Sequence, residues 1–566
     1  MKTVSSLIQT LLLLMLGGSG AACSSDADYA GAGGGGFGGG FGGGDGGPIA
    51  GGDGAAGDGG DGAAGTSGNL VTGVRVFSGT AKMLFNGPAC SHDEGATGDR
   101  WCAFVTYTDA TMQARSLYVF NASRVIAGVD VHCGGGANTD GDCLLLTADL
   151  WGDSSSPVLH GTFFQGDTLV FYEAGFAPYI WRPGMTKGRL LANRATGEDT
   201  VYCTAAPRGT AVLCVLLPNA EADPNPNIAF ADLLIGKADG ASEPLLSVAD
   251  TVVVFSTDDI GFRPTFGFGF PPGPGDNIVW TTRDGAGGPE TLRMQRAGDP
   301  ASKTTIASDV HHWNVSPDAT RWFWLTGTKG TAIGTLQTAA FPTGANPTDV
   351  RAEVSEDYDV VLSDAKTVVA LTKDGTLVAI PDPLNPASEL VLDTQVKDLL
   401  SVSDAGHVAY VKTRLGNNSG DLYVRKADGS ATCVVEATRP VPVRSVSFVP
   451  NAGAILWAHA DTDGFEAHYT RLRDCNTMSV ATDVTLVTSV GHERVLFADH
   501  FDDATASGTL RIRLVGNGNT LGTDAPIPIA DHVDSYAIAG PNPDTLLYTV
   551  NSGGENDGVY VRWFAD

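Results

Sequence analysis

The chain has 566 residues, and its 64 acidic against 35 basic side chains give a formal net charge of −29. A charge of this sign repels phosphate and anionic lipid head groups, which excludes nucleic acids and polybasic membrane binding. The length suits one large repeat domain or two or three ordinary domains.

Residues 1–22 have the pattern of a secretory signal peptide. Lys2 precedes an apolar run that ends at Leu16, and small residues follow it. A membrane-spanning helix needs about 20 consecutive apolar residues, more than this run supplies. We therefore expect the segment to direct export.

The junction Gly20-Ala-Ala-Cys23 resembles the bacterial lipobox. The resemblance implies that Cys23 is lipidated and becomes the mature N-terminus, and Ser24 after it implies sorting to the outer membrane. Ordinary signal-peptidase cleavage after Ala22 is the alternative. With a lipid anchor, the protein would face either the periplasm or the cell surface.

Residues 23–68 are expected to form a tether without a fold. From Gly31 to Gly68 the chain is almost entirely Gly, Ala and Asp. Such a segment cannot bury enough apolar surface to fold and behaves as a flexible coil. It would hold the remaining domain, residues 69–566, near the membrane and leave it free to reorient.

Eight of the nine cysteines form couples in chain order, and Cys23 is the ninth. One lipidated thiol and four disulfides account for all of them. The metal-binding alternative lacks a Cys-x-x-Cys pair. We predict disulfides typical of an oxidising compartment, which are Cys90 with Cys102, Cys133 with Cys143, Cys203 with Cys214, and Cys433 with Cys475.

Beyond residue 69 the sequence predicts an all-β protein. Short runs rich in Val, Leu and aromatic residues are separated by Gly, Asp, Pro and Asn turns, with hardly any helical periodicity. The aromatic residues of these runs are expected to pack between sheets. A carbohydrate-stacking platform is the alternative for Trp313, Trp322 and Trp324.

Polar turns precede the strand runs at a spacing of roughly 40 to 50 residues, a period typical of propeller blades with four strands each. The turns are Ser316-Pro-Asp-Ala, Leu362-Ser-Asp-Ala, Val402-Ser-Asp-Ala, Val449-Pro-Asn-Ala and Gly540-Pro-Asn-Pro, with a degenerate copy at Val490-Gly-His-Glu-Arg between the last two.

The clearest unit, residues 399–435, resembles the WD40-like repeat of TolB-type β-propellers. It combines the polar turn, an alternating aromatic strand, Leu422-Tyr-Val and an Ala427-Asp-Gly hairpin. The C-terminal half yields about six such units and the N-terminal half three or four. We predict one ring of about eight blades with the run Leu70 to Val76 near its closure; two smaller propellers are the alternative.

No catalytic or cofactor-binding residue is predicted. The Gly-x-Ser-x-Gly and His-Glu-x-x-His patterns are both absent from the sequence. Weak Ca²⁺ candidates are Asn138, Asp140 and Asp142, whose side chains offer alternating oxygens, and the segment Asp461 to Glu466. Neither completes an EF-hand loop, and Asp-Gly hairpin turns explain both.

These features predict an exported, monomeric lipoprotein that presents a β-propeller for binding an envelope protein, peptide or glycan. The TolB resemblance implies protein partners in the cell envelope. One alternative is an extracellular hydrolase or lyase acting on polysaccharide or peptide, and another is a purely structural surface protein.

Overall fold

The structure is a computed structural model, and it describes most of the chain from residue 72 onward. The signal peptide, Cys23 and the Gly-rich segment lie outside the described residues. These are 72–84, 89–91, 99–107, 115–134, 141–150, 162–173, 177–191, 200–206, 211–217, 228–237, 246–256, 268–271, 277–283, 290–327, 333–360, 364, 366–403, 405–413, 420–436, 443–449, 453–460, 465–490, 494–502, 507–515, 525–539 and 544–564.

The described residues are almost all β-strand, as the sequence predicts. The described strands form six antiparallel sheets of ten, eight, seven, four, four and four strands, in which most strands pair with their neighbours in chain order. Within these ranges the strands divide into ten consecutive units of four strands each. None of the described helices is long and apolar enough to span a bilayer.

Units one to four come first, after β1 (Val74–Ser78), which belongs to unit ten. Unit one contains β2 (Ala81–Met83), β3 (Trp101–Tyr107), β4 (Arg115–Asn121), the short helix α1 (Ala122–Ile126) and β5 (Cys143–Thr147). Unit two contains β6 (Phe163–Gln165), β7 (Thr168–Glu173), β8 (Ala177–Trp181) and β9 (Arg189–Leu190). Unit three contains β10 (Thr200–Ala205), β11 (Ala211–Leu217), β12 (Ile228–Lys237) and β13 (Leu246–Ser256). Unit four contains β14 (Phe268–Gly269), β15 (Asn277–Arg283), β16 (Glu290–Arg296) and β17 (Asp299–Ser308).

Units five to ten follow, and three long strands are shared between neighbouring units. Unit five contains β18 (Val310–Val315), β19 (Arg321–Thr326), β20 (Ile333–Ala340) and the start of β21 (Ala345–Val360). Unit six contains the end of β21, β22 (Val368–Thr372), β23 (Leu377–Ile380), a 3₁₀ turn (Pro386–Ser388) and β24 (Leu390–Asp393). Unit seven contains β25 (Val396–Val402), β26 (His407–Thr413), β27 (Gly420–Lys426) and β28 (Thr432–Glu436). Unit eight contains β29 (Val443–Val449), β30 (Ala454–Ala460), β31 (Phe465–Arg471) and the start of β32 (Asn476–Val490). Unit nine contains the end of β32, β33 (Arg494–Asp502), β34 (Ser507–Leu514) and the start of β35 (Ile527–Ala539). Unit ten contains the end of β35, β36 (Thr545–Val550), β37 (Gly558–Trp563) and β1.

At five described crossovers the chain passes from one unit to the next through a residue with a left-handed backbone. In β32 the residues up to Val484 pair with β31 and those from Val484 onward pair with β33. Asp483, just before this change of partner, has a φ of 56°. The five described crossover residues of this kind have φ between 55° and 60°, and they are Asp309, Glu353, Gln395, Asp483 and His532.

A buried valine follows each crossover residue and begins the first strand of the next unit. These valines are Val310, Val354, Val396, Val484 and Val533. A left-handed conformation costs a residue with a side chain about 1–2 kcal/mol. The crossovers are retained because the burial of the next residue, which begins a new sheet, outweighs that strain.

Successive residues of a strand point to opposite faces, so each sheet packs against the unit before it and the unit after it. In β19, Trp322 and Trp324 lie in a cluster with unit four. Phe323 and Leu325, between them, lie in a cluster with unit six. The tryptophans Trp322 and Trp324 are buried, which favours the packing interpretation over a carbohydrate platform for these two.

The N-terminal strand closes the series of units, as the sequence predicts. β1 pairs antiparallel with β37, from Val74 opposite Val561 to Ser78 opposite Gly558. One apolar cluster joins units ten, one and two. Since units packed in order with such a closure form a propeller, this topology supports a single ring.

The expected count of about eight blades is not confirmed, because the described strands divide into ten units. Six of the units lie beyond residue 309 and four before it. The sequence predicts about six units in the C-terminal half and three or four in the N-terminal half, which agrees with these numbers. The four predicted disulfides are all formed, and they fit an exported protein.

The crossover geometry can be tested at Gln395, an exposed residue with φ of 60°. We expect Gln395→Val to lower the free energy of unfolding by about 1–2 kcal/mol, because a β-branched residue fits the left-handed region poorly. Gln395→Gly should change it by under about 1 kcal/mol. Urea unfolding measures both, with Lys397→Val, an exposed site on the following strand β25, as control. Equal effects of Gln395→Val and Gln395→Gly would contradict the assignment.

Candidate functional site

The crossovers define one face of the ring, which we call the crossover face. Four antiparallel strands return the chain to the end at which it entered a unit, so every crossover lies on the same side. The first strand of each unit begins there. We therefore searched this face for side chains that could bind a ligand or perform chemistry.

At this face a polar network joins unit ten to unit one. Asn551 accepts a hydrogen bond from the Ala81 amide at 3.4 Å, and its Nδ2 donates to the Ala81 carbonyl at 3.0 Å. The Ser535 hydroxyl accepts from the Met83 amide at 3.0 Å. These bonds bind β2 to unit ten beyond the pairing of β1 with β37.

Asp534 is the charged centre of the network. It accepts hydrogen bonds from Asn551 Nδ2 at 2.6 Å and from the Thr549 hydroxyl, and Lys82 Nζ lies 3.9 Å from its Oδ2. Burial raises the pKa of Asp534, and the donors and Lys82 offset only part of that rise. Since its lone pairs already bind groups that close the ring, we interpret Asp534 as structural.

Tyr107 and Arg115 lie close to this network. The Arg115 guanidinium carbon lies 5.9 Å from the centre of the Tyr107 ring, within the range of a cation–π contact. Burial raises the pKa of Tyr107 to about 12, with Arg115 lowering it and Asp534 raising it. The phenol therefore remains protonated at neutral pH and is a poor general base.

The raised pKa of Asp534 predicts a pH dependence of opposite sign to that of ordinary paired carboxylates. Folded protein holds this proton more tightly than unfolded protein, so the group favours folding in acid, and the contribution is lost as pH rises through the raised value. We compare the free energy of unfolding of the wild type with that of Asp534→Asn. We expect the wild type's advantage to decrease as pH rises from below 3.8, the ordinary carboxyl pKa, towards neutrality.

Asp393→Asn is the matched control for this measurement. Burial acts to raise the pKa of Asp393, but hydrogen bonds from Lys412 and Tyr410 outweigh it and lower the value. The unfolding free energy of the wild type minus that of Asp393→Asn should therefore rise as pH rises. Urea unfolding across the acid range measures both, and differences of the same sign at the two positions would refute the assignment.

A second group of ionisable side chains lies in unit eight, and we call it the histidine–glutamate cluster: His459, Glu466 and His468. His459 on β30 is paired with Glu466 on β31, and His468 follows on the same face of β31. The Glu466 carboxylate oxygens lie 3.3 Å from His459 Nε2 and 3.4 Å from His468 Nε2. One ligand atom from each side chain lies within 4.8 Å of the others.

Trp457 packs against the histidines of this cluster. Its ring stacks on His468 with centroids 4.3 Å apart, and the His459 and His468 rings stack at 5.0 Å. The Trp457 indole N–H donates to the Thr470 hydroxyl at 2.9 Å. Because His459 is opposite Val443, the first residue of β29, the cluster lies near the crossover face.

Few of the weak candidates from the sequence fall on described residues. Asp142 is described, and its Oδ2 lies 3.4 Å from Arg124 Nε. Asn138 and Asp140 lie outside the described residues, as does Cys23. Calcium binding and lipidation therefore remain predictions, and within the described part of the chain no group of three potential metal ligands includes Asp142.

The sequence analysis missed the histidine–glutamate cluster, although a signal for it exists. In a hairpin, residues equally far from the turn are paired, and the turn between Ala460 and Phe465 pairs His459 with Glu466. Alternation then places His468 on the same face. The sequence pattern alone places Glu466 only at the end of a Ca²⁺-type segment.

The chain matches no known protein family, and none of the curated proteins is similar to it in sequence. Solved structures show weak likeness. A structure from a study of two prolyl endopeptidases has 15% identity and a TM-score of 0.35, covering 62% of this chain and 52% of that one. The tricorn protease has 11% identity and a TM-score of 0.31, covering 82% and 56%.

Porphyromonas gingivalis dipeptidyl peptidase 4 has 9% identity and a TM-score of 0.41, covering 68% of this chain and 63% of that one. All three of these structures are of peptidases. The chain spans little more than half the length of the prolyl endopeptidase and the tricorn protease.

Proposed function

We propose that the protein is an exported β-propeller, anchored in the outer membrane through Cys23, that binds an extended segment of an envelope protein. The observation that carries the proposal is an exposed apolar strand edge on unit six. The disulfides support export, and the tether of residues 23–68 would let the ring reorient towards a partner.

β24 is the outermost strand of unit six. It pairs with β23 through Leu390 opposite Ala379 and Val391 opposite Val378, and it ends its sheet among the described strands. Backbone groups on the outer side of such a strand can pair with another chain. Proteins commonly protect such edges with charge or proline, whereas β24 reads Leu-Val-Leu-Asp.

Apolar side chains accompany this edge. Val391 is 57% exposed, Leu390 40%, and Leu384, just before the strand, 50%. An extended peptide that adds to the sheet would gain backbone hydrogen bonds from β24 and apolar contacts from these side chains. A protein segment therefore fits this surface better than a glycan does.

The surface can be tested by position-specific photocrosslinking in intact cells. A photoreactive residue in place of Val391 should give one discrete adduct, and the same residue in place of Thr305, exposed on the outer strand β17, should give none. Adding Leu384→Asp should remove the adduct, because it places a charge against the apolar contact. Absence of an adduct at 391, or equal adducts at both positions, would reject the surface.

The lipid anchor is tested separately by Cys23→Ser. We expect this variant to move from the membrane fraction to the soluble fraction, since acyl chains would supply the membrane affinity. Ser25→Ala, which keeps the cysteine, should fractionate as wild type does. Unchanged fractionation of Cys23→Ser would exclude the anchor without affecting the proposed binding surface.

A second candidate function is a hydrolase or lyase acting on polysaccharide or peptide. The histidine–glutamate cluster favours it, because imidazoles and a carboxylate near the crossover face are groups that perform acid–base and metal-assisted chemistry. Turnover of proline-containing peptides or acidic polysaccharides by the full exported chain, lost in His468→Gln, would support this function.

A further inference from the structure

We propose that His459, Glu466 and His468 form a binding site for a divalent transition-metal ion of the zinc type. The site lies at the contact between units seven and eight. This inference goes beyond the proposed binding of a protein segment and does not depend on it.

The ligand set suits zinc. Two imidazole nitrogens and one carboxylate oxygen are common protein ligands of Zn²⁺, whereas Ca²⁺ and Mg²⁺ prefer oxygen alone. With bonds of about 2.1 Å, neighbouring ligand atoms of a tetrahedral ion are separated by roughly 3.4 Å. Glu466 Oε2 lies 3.3 Å from His459 Nε2 and Glu466 Oε1 lies 3.4 Å from His468 Nε2. One ligand atom from each of the three side chains lies within 4.8 Å of the others, so a small shift of the carboxylate would bring them to these separations.

The backbone fixes the positions of the ligands before any ion arrives. His459 and Glu466 are directly opposed across two paired strands, and His468 lies two residues along the same strand. All three side chains therefore project from one face of one sheet. Stacking on Trp457 restricts the His468 ring. Folding has already ordered these side chains, so little conformational entropy remains to be lost on binding.

Unit seven covers the sheet face that carries the cluster. Trp457 belongs to an apolar cluster with Val411, Leu422 and Val424 of that unit. The disulfide between Cys433 of unit seven and Cys475 of unit eight joins the two units covalently. The ligands thus lie at a contact that resists separation, in surroundings of low polarity that strengthen the attraction between an ion and its ligands.

Access to the site is from the carboxylate side. His459 and His468 are only 4% and 5% exposed, whereas the Glu466 side chain is 14% exposed. Three protein ligands leave the fourth position of a tetrahedral ion open for water or another ligand. The net charge of −29 also raises the local concentration of divalent cations around the protein.

The competing interpretation is an ion pair between Glu466 and the two histidines that needs no metal. That arrangement would stabilise the fold without taking up zinc, so direct binding measurements separate the two. The measurement uses the full exported chain without a polyhistidine tag, after chelator treatment, and titrates it with Zn²⁺ by calorimetry in the presence of excess Ca²⁺ to occupy acidic surface groups.

We expect one zinc ion per chain, and binding weaker by ~100-fold or more in His459→Gln, Glu466→Gln and His468→Gln, because each removes a ligand. His407→Gln, which alters a half-buried histidine on β26 of unit seven, should bind as wild type does. Zinc binding that is absent, displaced by Ca²⁺ or unchanged in the three variants would overturn the proposal.

Cobalt gives a second readout that needs no variant and so stands even if a substitution prevents folding. Co²⁺ added to the metal-free wild-type chain should give the intense visible absorption of a tetrahedral ion, and one equivalent of Zn²⁺ should abolish it. The pale spectrum of six-coordinate cobalt would contradict a three-ligand site with an open fourth position.

Discussion

The arrangement of the whole molecule depends on the burial of both faces of every four-stranded unit. A sheet this small with two apolar faces is not stable alone, and each unit therefore requires a neighbour on either side. At the five described crossovers the chain meets this requirement by passing to the next unit through a left-handed residue followed by a buried valine. The first and last units are completed by each other, because β1 adds to β37 and Asn551 and Ser535 bind β2.

The repeat could be read from the sequence because the turns within units have marked chemistry. Ser316-Pro-Asp-Ala contains a hydroxyl that caps the turn, accepting from the Arg321 amide at 2.9 Å, and Asp318 accepts from Thr320. Such residues stand out between apolar strands.

The crossovers lack this chemistry. Glu353 and Gln395 adopt left-handed conformations although neither is a Gly or Asn, the residues that usually indicate such a turn in a sequence. The 16-residue β21 has the sequence pattern of one strand although it belongs to two units. The unit counts for the two halves of the chain agree with the ten units, whereas the prediction of one ring of about eight blades is not confirmed.

The candidate sites differ in how far they could be predicted, and sequence distance explains the difference. The histidine–glutamate cluster forms within one hairpin, so counting outward from the turn would have found it. The network around Asp534 joins Lys82 to residues more than 400 positions later. Only the closure of the ring brings these groups together, and no local pattern indicates which carboxylate will be buried there.

The placement of the disulfides bears on where a preorganised site can exist. Three of them join cysteines 10 to 12 residues apart, and each lies within one unit. Cys433 and Cys475 are 42 residues apart and join two units. Other contacts between units are held by packing, by hydrogen bonds such as those of Asn551 to Ala81, and by the shared strands β21, β32 and β35. The contact between units seven and eight is the one that a covalent bond restrains among the described disulfides, and it is also where two imidazoles and a carboxylate converge. All three ligands belong to unit eight. The disulfide therefore restrains unit seven, which covers the ligands, rather than the ligands themselves. It would keep the low-polarity surroundings in place while leaving the carboxylate side open to an arriving ion.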